Sequence, residues 1–115
     1  MSLRLIECVP NISEGRDRAT IDAIAAVVET VDGVRLLDVA PGNSTHRTVI
    51  TFVGPPETIV EAAFRLMSKA AELIDMSKHR GEHPRMGATD VCPFVPVAGV
   101  TMEDCNAAAH ALRGR

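Results

Sequence analysis

The apolar residues of this chain repeat with two different periods, and the order in which these periods alternate constrains the fold most strongly. Short apolar and β-branched runs, each closed by turn residues such as Pro10-Asn11 or Gly54-Pro55, predict strands. The predicted strands are residues 3–9, 34–40, 48–53 and 97–100, with 94–95 as an irregular start to the last one. Because the second and third strands are separated only by a turn-rich link, they are expected to form a hairpin.

Between these strands, apolar residues recur three and four positions apart, which predicts amphipathic helices. The predicted helices are residues 18–31, 57–74 and 102–112. Asp17 is expected to cap the first, and a Thr101-x-x-Asp104 pattern the last, which ends at Gly114. The order is that of an α+β, ferredoxin-like βαββαβ fold, with helices on one face of an antiparallel sheet, plus a C-terminal helix. We therefore expect residues 1–115 to form a single domain.

Composition excludes several classes of function. The net charge is −3 and all three aromatic residues are Phe, which argues against nucleic-acid binding. No apolar run is long enough to span a membrane. The cysteines Cys8, Cys92 and Cys105 form no C-x-x-C pair, which disfavours a zinc ribbon or a redox dithiol and favours small buried residues in a reducing compartment. Since the N-terminus has no apolar leader, we expect a cytoplasmic protein.

A segment without any apolar period, residues 75–90, separates the longest predicted helix from the last strand. Within it, Lys78, Arg80 and Arg85 outweigh the single carboxylate of Glu82, although the chain as a whole is acidic. Such a local reversal of charge suits a small anionic ligand, whereas the alternative is a set of ordinary solvated loop charges. His46 and Arg47, at the start of the third strand, could reach the same end of the sheet.

Two histidines in the same segment, His79 and His83, allow two kinds of chemistry. Together with Glu82 they form an H-x-x-E-H pattern. A metal shared at that spacing requires a helix, which Gly81 and Pro84 oppose, so we expect no metal. The alternative is proton transfer, because a histidine in a polar loop titrates near neutral pH and can act as a general acid–base. A histidine that only hydrogen-bonds loop backbone fits the pattern equally well.

Several strings of this sequence resemble the N-terminal subdomain of glutamate formiminotransferase, the transferase half of formiminotransferase-cyclodeaminase. The strings are ECVPNISEG at 7–15, LDV at 37–39, ST at 44–45, RT at 47–48, LIDMSKH at 73–79, GEHPRMGA at 81–88 and DVCPF at 90–94. They cover nearly the whole chain in the order that the family has them. The ECVPN-SEG and GEHPRMGA strings are the most specific, so chance similarity is a poor explanation.

The resemblance implies transfer of the formimino group of N-formimino-L-glutamate to N5 of tetrahydrofolate, the co-substrate, with release of glutamate, in histidine breakdown. The family's catalytic histidine lies in the GEHPRMGA string and falls on His83, which would serve as the general acid–base. Lys78, Arg80, Glu82 and Arg85 are assigned as substrate-binding residues. The three cations are suited to hold the carboxylates of the two anionic substrates.

Two departures from the family pattern bear on activity. The family tends to carry an acidic residue two positions after Asp38, where this chain has Ala40, so electrostatic support for His83 would be weaker. The family's enzymes also continue well beyond this length, and the continuation holds a second subdomain and part of the folate site. One expectation is a transferase completed by a partner chain or within a homo-oligomer. The other is a truncated or stand-alone relative that acts as a ligand-binding or protein-interaction module.

Overall fold

The computed structural model describes residues 4–15, 17–42, 47–74 and 89–114. Over these residues the chain forms six strands and three helices. In chain order they are β1 (Leu5–Cys8), β2 (Asn11–Ile12), α1 (Arg18–Val28), β3 (Arg35–Gly42), β4 (Arg47–Gly54), α2 (Pro56–Leu73), β5 (Thr89–Val91), β6 (Phe94–Ala98) and α3 (Met102–Arg113). None of these helices is both long and apolar enough to cross a membrane.

The six described strands form one antiparallel sheet in which two pairs of strands act as single bent strands. Only Val9-Pro10 separates β1 from β2, and only Cys92-Pro93 separates β5 from β6. β1 pairs with β6, and β2 pairs with β5. The two bends lie side by side and form a double bend, across which the Val9 N–H donates to the Pro93 carbonyl at 3.2 Å. Proline lacks the N–H that would continue a ladder, which explains why both strands are interrupted there.

The order of the strands across the sheet is the ferredoxin-like one. β3 lies at one edge of the sheet and pairs with β4. On its other side β4 pairs with β1 and β2. β1 then pairs with β6, and β2 with β5, at the other edge. The hairpin of the second and third predicted strands is therefore confirmed as the β3–β4 pair. So is the α+β class predicted from the alternation of periods.

The helices cover one face of this sheet, and the core lies between the two layers. Alternate residues of the central strands point toward the helices, so Ile6, Cys8, Ile50 and Phe52 are fully buried. α2 lies between α1 and α3 and contacts both. The helices contribute apolar stripes to the same core, made mainly of Ile21, Ile24 and Val28 on α1, Ile59, Ala63 and Leu66 on α2, and Cys105 and Ala108 on α3.

The helix ends follow from local chemistry that the sequence displays. The Asp17 carboxylate accepts the backbone N–H groups of Ala19 and Thr20 at 3.1 and 3.3 Å, which confirms the predicted cap. Thr101 and Asp104 form both hydrogen bonds of a capping box, and α3 ends at Gly114 as predicted. These caps fix where α1 and α3 begin.

Several predicted elements differ from the structure, and the last strand, β6, ends at Ala98 rather than at residue 100. α1 stops at Val28 rather than at residue 31, and the turns that follow lead to Gly33, whose φ of +81° suits a glycine. β2 lies where the sequence predicts a loop, and β5 lies at the end of a segment that shows no regular pattern. Both strands are too short to show an alternating pattern, and they form because β2 finds partners on either side.

Candidate functional site

The side chains predicted to form the site lie outside the described residues. Lys78, Arg80, Glu82, His83 and Arg85 belong to the segment 75–88, between α2 and β5, and His46 and His79 are also undescribed. The structure does show how the fold leads into and out of this segment. At its start, the buried Ile74 ends α2 in an extended conformation, and the Ile74 N–H donates to the Ala70 carbonyl at 2.8 Å.

At its other end, the segment 75–88 joins the sheet beside the ends of three other strands. Thr89 pairs with Ile12, Ile12 pairs with Thr48, and Thr48 pairs with Pro41, so these four residues form one row across the sheet. We call this row the sheet end. Since neighbouring strands lie about 4.8 Å apart, Thr89 and Thr48 are separated by roughly 10 Å, which one small ligand can bridge.

Three stretches of chain leave or enter the sheet at the sheet end. The loop 13–15 follows β2 there, the link 43–46 joins β3 to β4 there, and the segment 75–88 joins β5 there. These stretches contain residues of four of the strings that carry the family resemblance. The sheet topology thus brings strand residues from widely separated parts of the sequence into one row: Ile12, Pro41, Thr48 and Thr89.

Two hydrogen bonds hold the loop after β2, one to the sheet end and one to the residue before α1. The Thr48 hydroxyl donates to the backbone carbonyl of Glu14, and Thr48 is the buried polar residue of the described core. The Glu14 carboxylate accepts the backbone N–H of Asp17 at 2.9 Å, immediately before α1. The loop is therefore fixed to β4 through its backbone and to the start of α1 through its side chain, which orders this side of the site.

Charge and register place two further residues close to the site. Arg47 is exposed at the start of β4 and brings a positive charge to the sheet end, as the sequence suggests. Ala40 pairs with Val49, one position away from the Pro41–Thr48 pair of that row. The position where the family tends to carry an acidic residue thus lies next to the sheet end, and here it holds a methyl group.

Within the ranges that the structure describes, no three His, Cys, Asp or Glu side chains are grouped to hold a metal ion. The His79–Glu82–His83 pattern lies in the undescribed segment 75–88, so it is not part of that finding.

Comparison with known proteins decides the family. Residues 5–115 match the family model described as "Formiminotransferase domain, N-terminal subdomain". The chain belongs to this family.

Three relatives illustrate how much longer the matching proteins are than this chain. The chain is 62% identical over 102 residues to a formimidoyltransferase-cyclodeaminase of Dictyostelium discoideum, covering 89% of this chain and 19% of that protein. It is 57% identical over 112 residues to the Mus musculus protein of the same name, covering 97% of this chain and 21% of the relative. With a glutamate formimidoyltransferase of Streptococcus pyogenes serotype M1 the identity is 52% over 102 residues, covering 89% and 34%. The chain thus spans between about a fifth and a third of these proteins.

One contact in this formiminotransferase subdomain has no counterpart in the sequence predictions. Cys8 and Cys92 lie 84 positions apart, yet their Sγ atoms are 3.2 Å from each other at the bend between the two halves of the sheet. The expectation of buried cysteines holds for Cys8 and Cys105, whereas Cys92 is half-buried. Cys92 stands directly before the proline that interrupts its strand, and Cys8 stands two positions before the other one, so the shared nearness to a proline is the signal that the sequence offers.

Proposed function

We propose that this formiminotransferase subdomain forms one side of a site that transfers the formimino group of N-formimino-L-glutamate to N5 of tetrahydrofolate. The observation that carries the proposal is that β2 and β3 end at the sheet end and β4 and β5 begin there, so the segments 43–46 and 75–88 are both connected to it. The family match supports the same activity, because the relatives are named as formimidoyltransferases.

The reaction needs one group that can both accept and donate a proton. The lone pair of folate N5 attacks the electrophilic amidine carbon, a C–N bond forms, and a tetrahedral intermediate results. When the bond between that carbon and the glutamate nitrogen breaks, the leaving nitrogen must gain a proton. His83 would take the proton released by N5 and deliver it to the departing glutamate, because an imidazole titrates near neutral pH.

The remaining predicted residues would bind and orient the substrates. Lys78, Arg80 and Arg85 supply cations for carboxylates, and Arg47 adds a further positive charge at the sheet end. Glu82 would accept a hydrogen bond from the N–H groups of the formimino substrate. This arrangement holds two anions near one imidazole, which is what a bimolecular transfer requires.

The test is a formimino-transfer assay with N-formimino-L-glutamate and tetrahydrofolate. Replacing His83 by Ala is expected to lower the rate by at least about a hundredfold, the usual contribution of a positioned acid–base group. His110→Ala is the matched control, since His110 is an exposed residue of α3. If the His83 and His110 variants transfer at the same rate as the unchanged chain, His83 is not the acid–base group.

A second candidate function is a module that binds a partner without catalysing transfer, and the open face of the sheet favours it. Val95 and Val97 of β6 are 42% and 53% exposed on the face opposite the helices. In the middle of that face Glu7 pairs with Val53 on one side and with Val95 on the other. An open sheet face that exposes valines beside a carboxylate is suited to pack against another protein layer.

Sedimentation of the chain at increasing concentration distinguishes this candidate. Self-association that weakens in a Val97→Thr variant, together with no transfer by the unchanged chain, supports the binding module. Met102→Gln is the control, because Met102 is equally exposed but lies on α3. A chain that transfers the formimino group while it remains monomeric contradicts this candidate.

A further inference from the structure

Two thiols meet at the double bend of the sheet, at a point that the transfer chemistry does not use. Cys8 ends β1, Cys92 lies between β5 and β6, and their Sγ atoms are 3.2 Å apart. Cys8 pairs with Phe94 across the strands, which makes Cys92 its diagonal neighbour two positions away. The Val9–Pro93 hydrogen bond clamps the two bends together, so the contact between the sulfurs is built into the backbone.

The two thiols differ in how easily a reagent can reach them. Cys8 is fully buried, whereas Cys92 is half-buried and lines a cleft of about 340 Å³ between α2, α3 and the second bend. The other residues of the cleft are Met67, Phe94, Ala109, Leu112 and Arg113. A small uncharged oxidant can therefore approach Cys92 from the cleft, whereas Cys8 does not line the cleft and is fully buried.

The protonation state of Cys8 further lowers its reactivity toward a reagent. Burial, and next the adjacent Cys92 thiol, raises the pKa of Cys8 well above its usual value. Cys8 thus remains a thiol at neutral pH and is a poor nucleophile by itself. Direct attack of Cys8 on a peroxide is therefore not expected, but its sulfur is in contact with the one that becomes electrophilic if Cys92 is oxidised.

We propose that Cys8 and Cys92 form a site of reversible oxidation, which a hydroperoxide such as hydrogen peroxide closes into a disulfide. In the first step the Cys92 sulfur attacks one peroxide oxygen, the O–O bond breaks, and the products are Cys92 sulfenic acid and water. In the second step the Cys8 sulfur attacks the Cys92 sulfur, the S–O bond breaks, and a second water leaves with the Cys8 proton. Two thiols are oxidised and one peroxide is reduced.

The motion required for the second step is small. The sulfurs must close from 3.2 Å to about 2.05 Å, the length of an S–S bond. The resulting bond would tie the β1–β2 bend to the β5–β6 bend and close a loop of more than eighty residues. A cross-link over so long a loop restricts the unfolded chain strongly, so the oxidised form is expected to unfold at a higher temperature.

The proposal is tested by treating the purified chain with one equivalent of hydrogen peroxide, blocking free thiols with N-ethylmaleimide, and mapping the peptides by mass spectrometry. Trypsin alone leaves Cys92 and Cys105 in one peptide, 86–113, so a glutamate-specific protease must also cut after Glu103. The expected product joins peptide 8–14 to peptide 86–103 with the loss of two hydrogens. Dithiothreitol should restore both thiols, and the oxidised chain should have the higher Tm.

Matched variants make the outcome decisive. Cys105→Ala removes the third cysteine, which is buried in α3, and should leave the cross-link unchanged. Cys92→Ala should abolish the cross-link and leave Cys8 unmodified by peroxide. The proposal is overturned if Cys92 proceeds to sulfinic acid without a disulfide, if Cys105 supplies the partner sulfur, or if the cross-linked chain unfolds at a lower temperature than the reduced one.

Discussion

The Thr48 hydroxyl donates a hydrogen bond to the backbone carbonyl of Glu14, a residue 34 positions earlier in the chain. This bond joins the beginning of β4 to the loop that follows β2, and Thr48 is completely buried where it does so. A buried carbonyl that loses its donor retains the cost of leaving water. Thr48 therefore contributes to the order of the sheet end in two ways: it donates a hydrogen bond to the Glu14 carbonyl, and it packs in the core.

Thr48→Val keeps the shape of the side chain and removes only the hydroxyl, so it isolates this hydrogen bond. The free energy of unfolding is expected to fall by about 1–3 kcal/mol in urea denaturation. Thr51→Val is the control, because Thr51 is a half-buried residue of the same strand on the opposite face of the sheet. Equal effects of the two substitutions would show that the bond to Glu14 does not stabilise the fold.

Gly54 closes β4 at a place where a side chain cannot fit. A Cβ added there would lie 2.8 Å from Cγ2 of Val34 and 3.4 Å from its Cα, and a valine cannot rotate freely out of the way. Gly54→Ala should therefore lower the free energy of unfolding by about 1–3 kcal/mol, as overpacked core substitutions do. Gly114→Ala is the control, since its nearest neighbour would be 3.5 Å away, and its effect in thermal melts should stay within about 0.5 kcal/mol.

The parts of the fold that sequence predicts well are those set by local patterns. The apolar stripe of α2 continues over many helical turns, so the sequence alone indicates which face of the helix is buried. The side chains of Asp17, Thr101 and Asp104 accept hydrogen bonds from backbone N–H groups no more than three residues away. Their roles as caps can therefore be recognised from the sequence alone. The order of these elements then restricts the sheet to very few topologies.

The parts that sequence does not predict depend on residues far apart in the chain. β2 is a strand only because β4 and β5 lie on either side of it. The acceptor for the Thr48 hydroxyl is a backbone carbonyl, and no side-chain pattern marks it. The charge of residues 78–85 and the family resemblance predict the candidate site, whereas strand register is what shows that β5, which follows this segment, begins at the sheet end.

If carboxylates bind at the sheet end, Arg47 should affect substrate affinity more than turnover. Arg47→Gln removes an exposed cation next to the proposed site, and we expect KM for N-formimino-L-glutamate or folate to rise roughly fivefold, equivalent to about 1 kcal/mol, with kcat largely unchanged. Arg35→Gln is the control, because Arg35 is an exposed cation at the opposite end of β3, where it pairs with Val53. Similar KM values for both variants would place the carboxylates elsewhere.

The stability of the reduced protein should fall as the solution becomes alkaline, and Cys8 should be one cause. Burial, followed by the adjacent Cys92 thiol, raises the pKa of Cys8 above its ordinary value of 9.0. Above about pH 9 the unfolded chain therefore releases a proton that the folded chain retains, and the free energy of unfolding decreases with pH by at most about 1.4 kcal/mol per unit for this group. Below that pH both states hold the proton and the contribution is constant. The chain contains no Tyr, so no phenol titration overlaps this range.

Urea denaturation at about pH 8 and about pH 10, in the presence of a reducing agent, measures this dependence. Cys8→Ala should lower stability at both values, because it leaves a cavity in the core, but the loss between them should be smaller than in the unchanged chain. Ile50→Val is the control, since it also removes buried volume and leaves the Cys8 thiol in place. Its stability should drop between the two pH values as steeply as that of the unchanged chain. If all three proteins lose the same free energy over this interval, then Cys8 releases its proton as readily in the folded state as in the unfolded one.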